Sequence, residues 1–186
     1  MRVLDLGCGP GRDLGKWGVM PEDEVTGVDI NHARLIMARR QFPERHNVLA
    51  KGECLPFPTA SFDWVISAVA LPYMDIQKTL AELHRILVPG GRLSLSLHSA
   101  EFTIGELLHH AIPKPVPTLF RLYVLANGVF FHCTGKTGKF LNHRTESFQT
   151  ERGMKLALRR AGFSHSSCTR QGAQTNRTFI VEATKL

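Results

Sequence analysis

Val3-Leu4-Asp5-Leu6-Gly7-Cys8-Gly9-Pro10-Gly11-Arg12-Asp13-Leu14 is the stretch on which the fold turns: a short apolar strand running directly into a glycine-rich turn. Glycines at alternate positions let the backbone bend sharply and approach a ligand with no Cβ in the way, as happens where a parallel strand feeds a nucleotide-type site. A glycine turn alone is also how an ordinary strand passes into a helix, so its meaning depends on the elements downstream.

Those elements alternate. Asp13 to Val19 reads as a short helix weakened by Gly15 and Gly18, and Val25 to Asp29 as a second strand ending in a carboxylate. Asn31 suits the N-cap of a helix from Ala33 to Gln41. Val48 to Ala50 is a weak third strand, and Asp63 to Val69 is nearly all apolar, as a strand covered on both faces should be. An amphipathic helix runs from Ile76 to Leu87 and is expected to stop at Pro89-Gly90-Gly91, with a fifth strand over Arg92 to Leu97. This rhythm predicts an α/β fold, a three-layer Rossmann-like sheet, with ligands at the carboxyl ends of its strands. Gly7, Asp29, the loop after Ala50, Ala68 to Tyr73 and His98 should therefore share one rim.

Residues 101–145 break the alternation. Helical stretches Ile104 to Ile112 and Thr118 to Phe131 flank Pro113-Lys114-Pro115-Val116-Pro117, giving a helical insertion read as a cap over the substrate, or else as a packing subdomain covering a sheet edge. Thr150 to Ala161 is a further amphipathic helix. The strands Phe163 to Thr169 and Thr178 to Glu182 are joined by only about eight residues, too few for a parallel crossover, so the last strand must be antiparallel.

A length of 186 residues suits one domain over 1–186. The apolar share of 43% is that of an ordinary globular chain, with no run long enough for a membrane span and no secretory signal, so a cytoplasmic location is expected. Cysteines at 8, 54, 133 and 168 form no paired spacing, and no metal site is expected, since neighbours such as His109-His110 and His132-Cys133 face different directions on a helix. The net charge of +7 lies wholly in residues 101–186, which hold 12 Lys and Arg against 5 Asp and Glu. A nucleic-acid partner is permitted by that half but not favoured, because no basic run interleaved with aromatics is present.

Four motifs in order resemble those of the class I S-adenosylmethionine-dependent methyltransferases, in their type 11 branch. They are Leu4 to Gly11, Gly27-Val28-Asp29, Glu53-Cys54-Leu55-Pro56-Phe57 with Ser61-Phe62-Asp63, and Arg85 to Gly91. The spacing G-x-G-x-G and the antiparallel end also separate the chain from nicotinamide-binding folds. The resemblance implies S-adenosyl-L-methionine as cofactor, S-adenosyl-L-homocysteine as product, and a cofactor set of Asp5, Gly7, Cys8, Gly9, Gly11, Asp29, Ile30, Gly52, Glu53, Leu55 and Ala68. Asp5 would hold the turn or help receive the ammonium, Asp29 would take both ribose hydroxyls, and Ile30 and Leu55 would enclose the adenine. A helix-start carboxylate is the competing role for Asp29.

Two departures stand out. Relatives often carry an acid two positions before Glu53 to accept from the adenine amine, and Lys51 stands there, so that contact must come from Glu53, the backbone or water. Relatives also carry helices before the first strand, which close over the site; the expectation is a fold lacking them, and either a fragment or a site closed by another element. Tyr73 and His98, at the ends of strands four and five, are the candidate catalytic residues, Tyr73 as a substrate or cofactor wall and His98 as general base or substrate contact. Ala70-Leu71-Pro72-Tyr73 lacks the asparagine of the Asn-Pro-Pro-Tyr signature, which argues against an exocyclic amine acceptor. The sequence thus points to methyl transfer to a small aromatic or lipid-like acceptor, with an RNA or protein methyltransferase and a noncatalytic cofactor-binding protein as the other readings.

Overall fold

A computed structural model describes residues 1–11, 14–98, 105, 115–138, 147–170 and 178–186. Within them, seven strands form one sheet: β1 (Arg2–Leu6), β2 (Glu24–Asp29), β3 (His46–Leu49), β4 (Phe62–Ala68), β5 (Leu87–His98), β6 (Phe163–Arg170) and β7 (Thr178–Lys185). Their order is β3-β2-β1-β4-β5-β7-β6. The first five run parallel, and β7 lies antiparallel between β5 and β6. The short final connection forces that reversal. The chain first moves outward from β1 to β3, then returns to the other side of β1 with β4. This leaves a crevice between the carboxyl ends of β1 and β4, where open α/β sheets bind ligands.

Helices α1 (His32–Gln41), α2 (Ile76–Ile86), α3 (Pro115–Thr134) and α4 (Glu151–Arg160) cover the sheet. Asn31 caps α1 by accepting the Arg34 amide, and Asp75 does the same for α2 through Lys78. Ile76, Leu80, Leu83 and Ile86 form the apolar stripe of α2 and are fully buried against Leu4, Leu6, Val65 and Leu93. Burial of each such side chain contributes roughly 2 kcal/mol. The opposite face of the sheet is closed by a smaller cluster of Val3, Leu14, Val25, Trp64 and Ile66. There the Trp64 indole donates to Ser94 Oγ at 3.0 Å, and the Arg92 guanidinium stacks 3.7 Å above its ring.

Three boundaries differ from the sequence reading. The helix expected after the glycine turn is a single 3-10 turn, Gly15–Trp17, since two glycines in seven residues leave too little helix propensity; Arg12 and Asp13 lie outside the described residues. Helix α2 ends at Ile86, and Pro89-Gly90-Gly91 lies inside β5, which begins at Leu87. Proline bars its predecessor Val88 from helical backbone, so the chain is extended before the glycines are reached. Helix α3 starts at Pro115, because prolines at 115 and 117 fall in a first turn whose amides have no helical partner to lose. The expected helix Ile104 to Ile112 lies outside the described residues apart from Gly105, as do His109 and His110.

Helix α3 is anchored inward. Phe131 is wholly buried in the main core, and buried Asn127 donates to the Gly138 carbonyl and accepts the Gly138 amide. His132 Nδ1 meets Thr150 Oγ1 at 3.0 Å. Among the described residues, no helix is long and apolar enough to cross a membrane.

Candidate active site

The crevice at the β1/β4 switch holds a cavity of about 430 Å³. Gly7, Cys8, Gly9, Pro10 and Gly11 form its floor, Asp29, Ile30 and Arg34 one wall, and Ala68, Val69, Ala70, Tyr73 and Met74 the other. Its volume falls in the range of small-molecule and cofactor sites. Among the described residues, Asp29 is its one carboxylate and Arg34 its one permanent cation.

The turn from Gly7 to Gly11 is held from within. The Gly7 and Cys8 amides donate to the Val28 carbonyl at 2.7 and 3.1 Å, and the Gly11 amide to Cys8 at 3.2 Å. The Gly9 amide donates to Asp29 Oδ2 at 2.9 Å, and Pro10 has no amide hydrogen. A phosphate cradle works by turning backbone N–H groups toward an anion. Here those donors are engaged inside the protein, which suits a cationic ligand rather than a pyrophosphate. Gly7, Gly9 and Gly11 all have positive φ, and a Cβ on Gly7 would lie 2.2 Å from the Ala70 Cβ. The two strand ends therefore close on each other at a distance that only glycine allows.

Asp29 is 8% exposed at the end of β2. Its Oδ1 accepts the Asn31 amide at 2.8 Å while Oδ2 takes Gly9, so it joins the glycine turn to the start of α1. Each oxygen keeps a second lone pair with which to accept a hydroxyl. Ile30 beside it is 64% exposed. Opposite, Val69 carries φ +60, a left-handed conformation that a β-branched residue adopts only under constraint. Its amide donates to the Ser96 carbonyl at 2.8 Å, tying the end of β4 to β5.

Other expected site residues lie behind the cavity or away from it. Asp5 is buried below the turn, near Cys8, Gly11, Phe42 and Asn47. Gly52 is buried behind Met74, where a Cβ would meet the Met74 sulfur at 2.7 Å. Glu53 accepts the Asp75 amide at 2.9 Å, at the start of α2. Leu55 is 4% exposed and belongs to the main core. Its amide donates to Glu82 and its carbonyl accepts from Arg85, whose guanidinium also holds the Phe57 carbonyl at 2.8 Å. Arg85 and the Leu55 amide together keep the Glu82 carboxyl below the usual carboxylate range. Lys51 is exposed. Tyr73 lines the mouth, whereas His98, at the end of β5 opposite Thr178, is not among the lining residues. No described residue of the 101–145 stretch lines the cavity.

Arg34 and Met74 belong to none of the sequence motifs, and the sequence marks Val69 as the end of a strand and Ala70 as the start of Ala70-Leu71-Pro72-Tyr73, neither with a role of its own in the site. Arg34 had a signal, as the third residue of a helix whose capped start faces the glycine turn. Nothing in a valine announces a left-handed backbone.

The methyltransferase-domain family profile matches residues 4–95. A demethylmenaquinone methyltransferase of Listeria monocytogenes is 32% identical over 176 residues, 88% of this chain and 70% of that protein. The chain belongs to the class I S-adenosylmethionine-dependent methyltransferases. A malonyl-[acyl-carrier protein] O-methyltransferase of Enterobacter lignolyticus is 40% identical over 101 residues, 54% of this chain and 40% of that enzyme, so the matched stretch covers under half of that relative. In fold, the chain is similar to an S-adenosylmethionine-dependent methyltransferase from Mesorhizobium loti, with a TM-score of 0.67 at 20% identity, covering 99% of this chain and 90% of that one. Membership implies S-adenosylmethionine as methyl donor, and a glycine cradle with its amide donors turned inward fits a cofactor that carries sulfonium and ammonium charges.

Proposed function

We propose that this chain methylates a small lipid-like or aromatic acceptor presented at the cavity mouth beside Tyr73. The observation that carries the reading is the mouth itself. Tyr73, 70% exposed, stands in the 3-10 turn Leu71–Tyr73 with Val69, Ala70 and Met74 next to it on the same wall. An apolar and aromatic wall favours an acceptor with an apolar body. The two relatives, named for demethylmenaquinone and malonyl-[acyl-carrier protein], support that class. An RNA acceptor is less well supported, since Arg34 is the one permanent cation on the described lining.

When bound, S-adenosylmethionine supplies a methyl group on a sulfonium sulfur, already activated for in-line displacement. The protein's work is then positioning. Gly7, Gly9 and Gly11 allow close backbone approach, Asp29 offers lone pairs to hydroxyls, and Ile30 gives an apolar wall. Gly52, Glu53 and Leu55 act from behind, fixing the loop that supports Met74. Tyr73 orients the acceptor. His98 receives no role as base in this reading, because it does not border the cavity.

The test is transfer of labelled methyl from S-adenosylmethionine to demethylmenaquinone, malonyl-acyl carrier protein or total RNA. The expected result is label in one of the first two. Tyr73→Ala should raise the acceptor KM about tenfold and leave S-adenosylhomocysteine affinity unchanged. Label in RNA alone, or cofactor binding without any product, would overturn the proposal.

A further inference from the structure

Helix α3 carries apolar residues on two sides, one turned inward and the other facing water. From Pro115 to Thr134 its only permanent charge is Arg121. Its inward side carries Tyr123, Asn127 and Phe131, all buried. Its outward side carries Leu122 (58% exposed), Ala126, Val129 (57%), Phe130 (41%) and Cys133. Those positions recur at three- and four-residue intervals, so they form one continuous stripe along the helix. A helix apolar on two sides is ordinarily covered on both, and a contiguous exposed stripe of this kind marks a contact surface.

The neighbouring helix indicates what the contact is. Arg152, Lys155, Arg159 and Arg160 of α4 are all exposed, against the single acid Glu151. Arg160 donates to the Thr134 carbonyl, and Gly135 packs on Leu156, so α4 abuts the end of α3 that carries Phe130 and Cys133. Lys136 is exposed at the same junction. We infer that the α3 stripe and the α4 cations together form a docking surface for an anionic lipid bilayer, with the stripe at the headgroup boundary and the cations on the lipid phosphates. This pairing of an apolar face with basic flanks is how interfacial helices bind such surfaces. A second copy of the chain fits less well. A twofold contact through this patch would offer those cations no acidic partner from α3 or α4 other than Glu151. The surface lies apart from the cavity lining, so the inference goes beyond the acceptor reading and is tested without turnover.

The experiment is co-sedimentation of the whole chain with vesicles of phosphatidylglycerol and phosphatidylcholine, compared with phosphatidylcholine alone. Binding is expected to the anionic vesicles and to weaken as salt is raised, since screening removes the headgroup attraction. Leu122→Glu with Phe130→Glu should reduce it at least fivefold, and Arg152→Gln with Lys155→Gln and Arg159→Gln should do the same. Unchanged S-adenosylhomocysteine binding shows that each variant is folded. Should the first pair not fold, the triple glutamine variant alone decides. The inference is overturned if the wild-type chain ignores anionic vesicles at low salt. It is overturned equally if folded variants bind as the wild type does, or if ultracentrifugation shows a dimer that the stripe variants split.

Discussion

Asp29 accepts the backbone amide of Gly9 at 2.9 Å, so the carboxylate expected to hold a ribose is also the clasp of the glycine turn. With the Asn31 amide on its other oxygen at 2.8 Å, it fixes three segments at once. Asp29→Ala should therefore fail in two ways. It should lose S-adenosylhomocysteine binding in calorimetry, and it should lose about 1 to 3 kcal/mol of stability by stranding two amides. Asp29→Asn retains one carbonyl oxygen and should recover part of the stability with little of the affinity. Equal losses of affinity and stability in the asparagine variant would tie the affinity to the clasp and leave Asp29 no separate ligand role.

Gly7 and Gly9 share a left-handed backbone but differ in their surroundings. An alanine Cβ at Gly7 meets the Ala70 Cβ at 2.2 Å, an atom fixed to the main chain that cannot swing aside, whereas at Gly9 nothing lies within 4 Å. Gly9→Ala should cost only the backbone strain, about 1 to 2 kcal/mol. Gly7→Ala adds a steric clash and should cost about 2 to 5 kcal/mol, because β1 and β4 must part. Urea unfolding of the two variants makes the comparison, and similar losses would show that the crevice is not closed as described.

Val69 holds φ +60 while its amide bonds Ser96 at 2.8 Å. Strain of this kind costs about 1 to 3 kcal/mol and persists where neighbours over-determine the backbone. Val69→Gly removes it at an entropic cost of about 0.5 to 1 kcal/mol. The expected outcome is a melting temperature raised by about 2 to 4 °C, with slower methyl transfer as the acceptor wall is lost. A lowered melting temperature would show that the valine side chain contributes more than its backbone costs.

The contrast between Val69 and Asn31 shows what sequence can and cannot carry. Asn31, Asp29 and the glycine turn were legible because each residue type has a local physical preference that the fold merely uses. The loop around Leu55 was legible as a motif but not as a position. A leucine beside Pro56 serves equally as a cofactor wall or as core, and only the three-dimensional clamp of Glu82 and Arg85 turns it inward. Pro89-Gly90-Gly91 read as a stop because glycine after a helix ordinarily is one; the strand pairing of β5 with β4, starting at Leu87 opposite Phe62, overrides that local reading.

His84 packs edge-on against Phe163 with ring centroids 5.2 Å apart. Burial first, and then nearby Lys185, lower its pKa from the ordinary value near 6.5. The folded state therefore binds this proton less readily than the unfolded chain. Its contribution is fully present above about pH 6.5 and is lost as pH falls through the lower folded value. The ring remains partly open to solvent, which holds the effect under about 1 kcal/mol. Denaturation of wild type and His84→Leu at pH 7.5 and 5.5 should show a smaller acid loss in the variant, and parallel losses would assign the effect to other histidines.

Arg34 is a cation in the first turn of α1, where the helix dipole disfavours positive charge by some tenths of a kcal/mol. Its side chain borders the cavity beside Asp29 and Ile30. A residue that works against its own helix at the edge of a site is better explained by the ligand than by the fold. A planar guanidinium can stack on a purine face and can also meet a hydroxyl or carboxylate, which a lysine ammonium does only as a point charge. Arg34→Ala should weaken S-adenosylhomocysteine binding about tenfold, roughly 1.4 kcal/mol, while the melting temperature holds or rises. Arg34→Lys keeps the charge and loses the plane. If it binds like the alanine variant, the guanidinium face carries the contact; if it binds like wild type, the role is charge alone, and an unaffected alanine variant would remove Arg34 from the site.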